Sequence, residues 1–346
     1  MSSLTLAARM RESLGTTIAV WFPESMDPDE MAAQIARTLD DSELFCRPCN
    51  IVLVVDGCPA AVQPTRRAAE EFRARCSEAP VVIEKGNNEG QGGAVCCGIE
   101  YLLARADVQY IGCRDGDGDH DIYDLPPMFR LLQSIEAHEN TDNAFVVGCR
   151  GSLHRPMGFA RGEFERILNR VKMTALNACL AAEGRAVDER YCALQGDEPD
   201  FQSGYKLYTR RTANIAASGL RRAHAAQPER KPLRWGVQFI SSAELLLSGA
   251  ITGAIHRLTY DDQPQSTFEG KHNYAEAYGR QIAWLYDRLG TPPAAGIAWI
   301  DAAIMRSQYG TVEGGWQELL ALRRYVIEAC FTGQSPLAPP RRGEML

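Results

Sequence analysis

Five short, continuously apolar runs recur through the first 150 residues, at 17–21, 51–55, 81–84, 109–113 and 144–148. Between them lie stretches with helical spacing, at 26–39, 64–76, 91–106 and 125–138. Strands that do not alternate apolar with polar residues are buried on both faces, and strands separated by helices pair in parallel. The pattern therefore predicts an α/β chain with a mostly parallel central sheet and helices on both faces. Sheets of this kind bind ligands at the carboxyl ends of their strands. The residues to inspect are thus Pro23 and Glu24, Asp56 and Gly57, Lys85 to Asn88, the acidic run from Asp115 to Asp121, and Arg150.

After Arg150 the pattern changes. A long helical stretch covers 162–186 and an irregular acidic segment covers 196–204. The runs 207–218 and 239–247 read as strand or helix, and 254–260 reads as a further strand. Helices are expected at 274–288, 293–307 and 313–331, and the proline- and arginine-rich tail 333–346 reads as disordered.

Composition excludes several classes of function. A formal charge of −7 argues against a chain that holds nucleic acid or anionic membrane through its overall field. No apolar run approaches the roughly 20 residues of a membrane-spanning helix. The first 16 residues mix Arg9, Arg11 and Glu12 with small residues and do not read as a signal peptide, so a cytoplasmic location is expected. The 11 cysteines are an odd number scattered through apparent strands and helices, which suits reduced thiols. Cys46 and Cys49 form a CxxC that precedes a strand and lacks the second pair a zinc site needs.

The run Arg114-Asp115-Gly116-Asp117-Gly118-Asp119-His120-Asp121 directly follows the fourth strand. Carboxylates about 4 Å apart repel by roughly 4 kcal/mol per pair at an effective dielectric of 20, so a counter-charge is needed. In an extended segment Asp115, Asp117 and Asp119 share one side and can converge on one cation. Oxygen-only ligands favour Mg²⁺ or Mn²⁺, which complete their shells with substrate phosphates and water. A calcium loop would require Gly at its sixth position and Glu at its twelfth, where this chain has His120 and Pro126. The alternative is a solvated acidic turn capping the helix that begins near Asp124.

The stretch from Asp115 through Asp124-Leu125-Pro126 resembles the aspartate motif of family 2 glycosyltransferases, in particular the synthases of dolichyl-phosphate mannose and glucose. Four more segments fall in that family's order: Val54 to Gly57, Asn88 to Ala94 with Gly98, Val146 to Arg150, and Asp200 to Tyr208. The resemblance covers roughly residues 17 to 262. It implies a GT-A fold over 1–262, with a nucleotide-sugar half at 17–150 and an acceptor half at 151–262, followed by a helical extension at 263–332. The implied activity is transfer of a sugar, a hexose by the nearest motifs, from a UDP- or GDP-sugar to an acceptor, with Mn²⁺ or Mg²⁺ as cofactor. Two departures are visible. Pro23-Glu24-Ser25-Met26 stands where the family has Pro-x-Tyr-Asn-Glu, and the late Arg-x-x-Gly-x-Ser-Lys element is missing from 261–272. The second departure, with no apolar span and no basic patch, points to a soluble, small-molecule acceptor.

Residue by residue, the resemblance implies Asp115, Asp117 and Asp119 as metal ligands, joined by His272. Asp56 and the edge at Pro23 and Glu24 would meet the nucleotide. Asn88 and Gly92 belong to the helix beside the diphosphate. Lys85, Arg150 and Lys206 are candidate phosphate contacts. Asp200 is the candidate catalytic base, with Asp197 and Glu198 in reserve, because deprotonating an acceptor hydroxyl needs a positioned carboxylate. Two other readings share the sheet: a sugar-phosphate nucleotidyltransferase, and a non-catalytic protein that binds nucleotide-sugars. The sequence leaves self-association into a homo-oligomer open.

Overall fold

The computed structural model describes residues 5–192, 198–258, 273–331 and 339–340. Its centre is an eight-stranded mixed sheet, mostly parallel, flanked by helices. The strands are β1 (Leu14–Val20), β2 (Ile51–Asp56), β3 (Val81–Lys85), β4 (Tyr110–Asp115), β5 (Ala144–Cys149), β6 (Tyr191–Cys192), β7 (Lys206–Thr209) and β8 (Ile251–His256). They lie in the order β3-β2-β1-β4-β7-β5-β8-β6. All pairs are parallel except those of β7, which runs antiparallel between β4 and β5.

The five apolar runs all became strands; the expected burial on both faces holds for the inner strands, whereas β3, at the sheet edge, is only half-buried. Every residue of β2 and of β5 is buried. Successive side chains on a strand point to opposite faces, and the two faces feed two separate cores. Val52, Val54, Phe145 and Val147 enter one, packed with the helices Gln91–Leu103, Phe159–Ala181, Arg210–Ala226 and Val237–Leu247. Ile51, Leu53, Val55, Ala144 and Val146 enter the other, with the helices Leu6–Ser13, Pro28–Leu39, Pro59–Cys76 and Leu125–Glu139.

Several boundaries differ from expectation. The helix Leu6–Ser13, capped by Thr5, was not anticipated, and β1 starts directly after it. The helix expected from Pro64 begins at Pro59, with Pro64 buried inside it. The ambiguous run 207–218 divides between β7 and the helix Arg210–Ala226, where the Thr209 side chain caps the helix by accepting from the Thr212 N–H. The strand expected at 254–260 starts earlier and ends at His256.

The C-terminal helices do not stand apart. Tyr274–Leu289 packs on Phe159–Ala181 and Gly315–Cys330. Glu163 accepts from the Ser307 hydroxyl at 2.8 Å and the Gln308 N–H at 2.6 Å, pinning the following turn to the long helix. Among the described residues no helix is long and apolar enough to cross a membrane.

Candidate functional site

The carboxyl ends of β1, β2, β4, β5 and β8 open into one cavity of about 370 Å³. The acidic segment forms one wall. The expected alternation of Asp115, Asp117 and Asp119 stops at Asp115, because β4 ends there and the chain turns, with Gly118 at φ +83°. Arg114, wholly buried, holds this turn: Nε and Nη2 donate to the His120 carbonyl at 3.1 and 2.7 Å, and Nη1 donates to Ser42 Oγ at 3.1 Å. Asp121 accepts from the Tyr123 N–H at 2.9 Å and so caps the short helical turn that follows.

Three aspartates on a turn meet three different surroundings. Asp115 Oδ1 accepts from Gln91 Nε2 at 2.6 Å, while Oδ2 faces Gly204, where an added Cβ would stand 2.9 Å away. Burial, together with the charge of Asp119, raises the Asp115 pKa. Asp117 Oδ1 accepts from the Asp119 N–H at 3.2 Å, and burial plus the Asp115 charge push its carboxyl up to about 7. Asp119 is different: its Oδ2 accepts from Arg257 Nη2 at 3.1 Å. Among the described residues no group of three or more His, Cys, Asp or Glu side chains is arranged to hold a metal ion. The convergence of three carboxylates expected from the sequence is thus replaced by two under-neutralised ones, with the third claimed by an arginine. Two carboxylates, with water and ligand oxygens completing the shell, still fit a hard divalent cation such as Mg²⁺. His272 lies outside the described residues, as does Asp197.

His120 stacks on Tyr205 at 4.6 Å, and its Nδ1 accepts from the Asp115 N–H at 2.9 Å. Burial, and then Arg257, Arg114, Arg150 and Lys206, lower its pKa well below the ordinary value. The ring is therefore neutral, and with Nδ1 accepting it carries its proton on Nε2, 3.8 Å from Asp119 and 3.9 Å from Asp115.

The nucleotide side differs from expectation in detail. Asp56 reaches the cavity wall, but its carboxylate already accepts from Lys85 Nζ at 2.7 Å and from the N–H groups of Glu89 and Gly90 at 3.2 and 2.6 Å. It pins the loop that opens the helix Gln91–Leu103. Lys85 is consumed by Asp56 and Glu89 at 2.7 and 2.8 Å and does not line the cavity. Burial alone would lower its pKa, yet these partners raise it. Asn88 does line the cavity and accepts from Arg234 Nη2 at 2.8 Å. Gly92 is a packing glycine: an added Cβ would meet the Leu233 carbonyl at 2.6 Å. Pro23 is on the wall beside Trp21, which is 41% exposed, whereas Glu24 is exposed and off the wall.

The acceptor side is heavily paired. Asp200 takes Arg150 through Nε and Nη2 at 2.6 and 2.7 Å, and Arg150 Nη2 also donates to Glu165 at 2.7 Å. Burial would raise Asp200, but Arg150 outweighs it and holds the carboxyl below its ordinary range. A carboxylate stabilised as the anion and absent from the wall makes a poor general base. The structure gives Asp200 another task, anchoring Arg150. Glu198 lies near Glu189 and is also off the wall. Lys206 is buried and donates to the carbonyls of Phe201 and Ser203 and to Gln238 Oε1, so it clamps a loop and has no free proton for a phosphate. Burial pulls its pKa to about 8.

Sequence reasoning missed Arg257, Gln91, Trp21 and Trp235, and it missed Gln281 from the C-terminal helices, all of which line the cavity. Gln91 sits in a segment that was singled out. Arg257 follows a core strand directly, the position that the carboxyl-end rule marks.

No protein-family model matches the chain, and no curated protein matches it. Among solved structures it is similar to residues 1–349 of S. aureus TarS, with a TM-score of 0.40 and 10% sequence identity over 91% of this chain and 90% of that one. Likeness at that level leaves the chemistry to this chain's own residues.

Proposed function

We propose that the chain is a metal-dependent glycosyltransferase of GT-A type, moving a sugar from a UDP- or GDP-sugar to a small soluble acceptor. One observation carries the reading: Asp115 and Asp117, both short of counter-charge, line a cavity at the carboxyl ends of parallel strands. Buried carboxylates with raised pKa values mark functional sites. Asp115 and Asp117 would hold Mn²⁺ or Mg²⁺, which supplies Lewis-acid stabilisation of the departing nucleoside diphosphate.

The chain's own residues do the rest. Gln91 fixes the rotamer of Asp115 from the first turn of a 13-residue helix, whose N-terminal end favours anionic groups. His120 stays neutral and turns its N–H toward the carboxylates. Trp21 and Trp235 offer aromatic faces on the wall. Arg150, on the cavity wall, is neutralised by Asp200 and Glu165 and so shapes the wall without offering it a free charge. The nucleotidyltransferase reading wants a basic loop after β1, and the wall there carries Trp21 and Pro23 instead.

The test is a thermal-shift screen of nucleotide-sugars with Mn²⁺, followed by donor-hydrolysis and transfer assays. A bound donor raises stability by RT ln(1 + [L]/Kd), about 2.7 kcal/mol at 100-fold excess over Kd. A shift with at least one UDP- or GDP-sugar, followed by turnover, is expected. Binding without hydrolysis or transfer would instead make the chain a nucleotide-sugar-binding protein.

A further inference from the structure

Arg257 is 2% exposed and belongs to the cavity wall. Its N–H donates to the Cys149 carbonyl at 2.8 Å, which fixes the start of its side chain beside the end of β5. The stem then crosses Gly148, where an added Cβ would stand 3.2 Å from Arg257 Cγ, so any larger residue there would crowd it. At the far end Nη2 bonds Asp119, but Nε and Nη1 are buried with no hydrogen-bond partner among the described residues.

Its neighbours make the contrast. Arg114, equally buried, has all three nitrogens engaged, and Arg150 has its Nε and Nη2 on carboxylates and its Nη1 on Met157 Sδ. Arg257 alone of these three is left short. An unsatisfied buried donor costs about 1–3 kcal/mol, more when charged. A native group in that state calls for an explanation, and an absent ion or ligand is one. A guanidinium presents paired N–H groups in a rigid fork that matches phosphate oxygens. The bond to Asp119 places that fork against the acidic turn, where the proposed donor's diphosphate would lie.

We infer that Arg257 is an anion-binding residue of the cavity that takes a phosphate oxygen of the donor's diphosphate, an assignment that rests on the donor reading above. Asp119 is then its orienting partner: it holds Nη2, and one of the two unpartnered nitrogens, whose N–H groups point to different sides of the guanidinium, takes the phosphate oxygen.

The test is calorimetric titration of UDP, GDP, uridine and guanosine into the full chain, in Mn²⁺ and separately in EDTA. Arg257→Gln should weaken the diphosphate that the wild type binds by at least about tenfold in both media, a loss of about 1.4 kcal/mol. Arg257→Lys, which keeps the charge and loses the fork, should fall between, and it is the variant that decides if Arg257→Gln does not fold. The nucleosides should bind both proteins alike. Equal diphosphate affinity in wild type and variant overturns the role of Arg257 while leaving the donor reading intact. A loss of equal factor for nucleoside and diphosphate overturns it as well, since a phosphate contact cannot act on a ligand without phosphate. Failure of the wild type to bind either diphosphate overturns the donor reading, and this inference with it.

Discussion

Two neighbouring segments, packed together where Gly204 meets Asp115 and Tyr205 stacks on His120, handle charge in opposite ways. Where β4 gives way to the acidic turn, Asp115 and Asp117 are half-buried beside like charge and their pKa values rise. On the segment before β7, Asp200 is buried more deeply still, yet Arg150 embraces it and its pKa falls. Burial is common to both; the partner decides the sign. The paired segment is architecture, while Asp115 and Asp117, without an arginine of their own, are the carboxylates that the proposed reading gives to a cation.

The comparison can be broken most forcefully from its paired side. Arg150→Ala leaves Asp200 and Glu165 buried without their common cation, and removing one member of such a network costs about 3–5 kcal/mol. Chemical denaturation should read that loss, and a change below about 1 kcal/mol would show the network to be dispensable. On the unpaired side Asp117→Asn should lower metal-dependent transfer by about 100-fold, roughly 2.7 kcal/mol of barrier. Its melting temperature in EDTA should not fall, which separates it from Arg150→Ala.

Proton linkage sharpens the contrast. Asp117 has a folded pKa near 7 against an ordinary 3.8, so its contribution to stability is present below about pH 4 and lost as pH rises toward 7. Asp117→Asn in EDTA should therefore gain on the wild type between pH 5 and 8. Asp200 is shifted the other way, so its contribution is present above its ordinary 3.8 and lost only at lower pH. Asp200→Asn should show a deficit that is flat from pH 5 to 8 and shrinks only in stronger acid. Parallel pH profiles for the two variants would contradict the account. The smallest effect belongs to Glu24, exposed and off the wall: Glu24→Ala should change stability by no more than about 0.5 kcal/mol and leave nucleotide affinity unchanged.

The sheet was legible because runs such as 51–55 are apolar throughout, and only a strand covered on both faces needs that. The four-residue β7 was not, since an antiparallel insertion that short, followed at once by a helix, gives no period of its own. Extending the last strand to residue 260 placed Arg257 inside it, and the true end at His256 puts that arginine at the ligand-facing position. The acidic run was found from local sequence, but its division of labour was not: Asp119 meets an arginine 138 residues away and Asp200 meets one 50 residues away. Such pairings are set by the strand order, which no local spacing encodes.

The most direct measurement is the affinity of the wild type and Asp117→Asn for UDP and GDP, each with Mn²⁺ and with EDTA. The account predicts that Mn²⁺ tightens one nucleotide by about tenfold or more in the wild type, about 1.4 kcal/mol, and by nothing in the variant. Tight nucleotide binding that ignores Mn²⁺ and survives Asp117→Asn would contradict it.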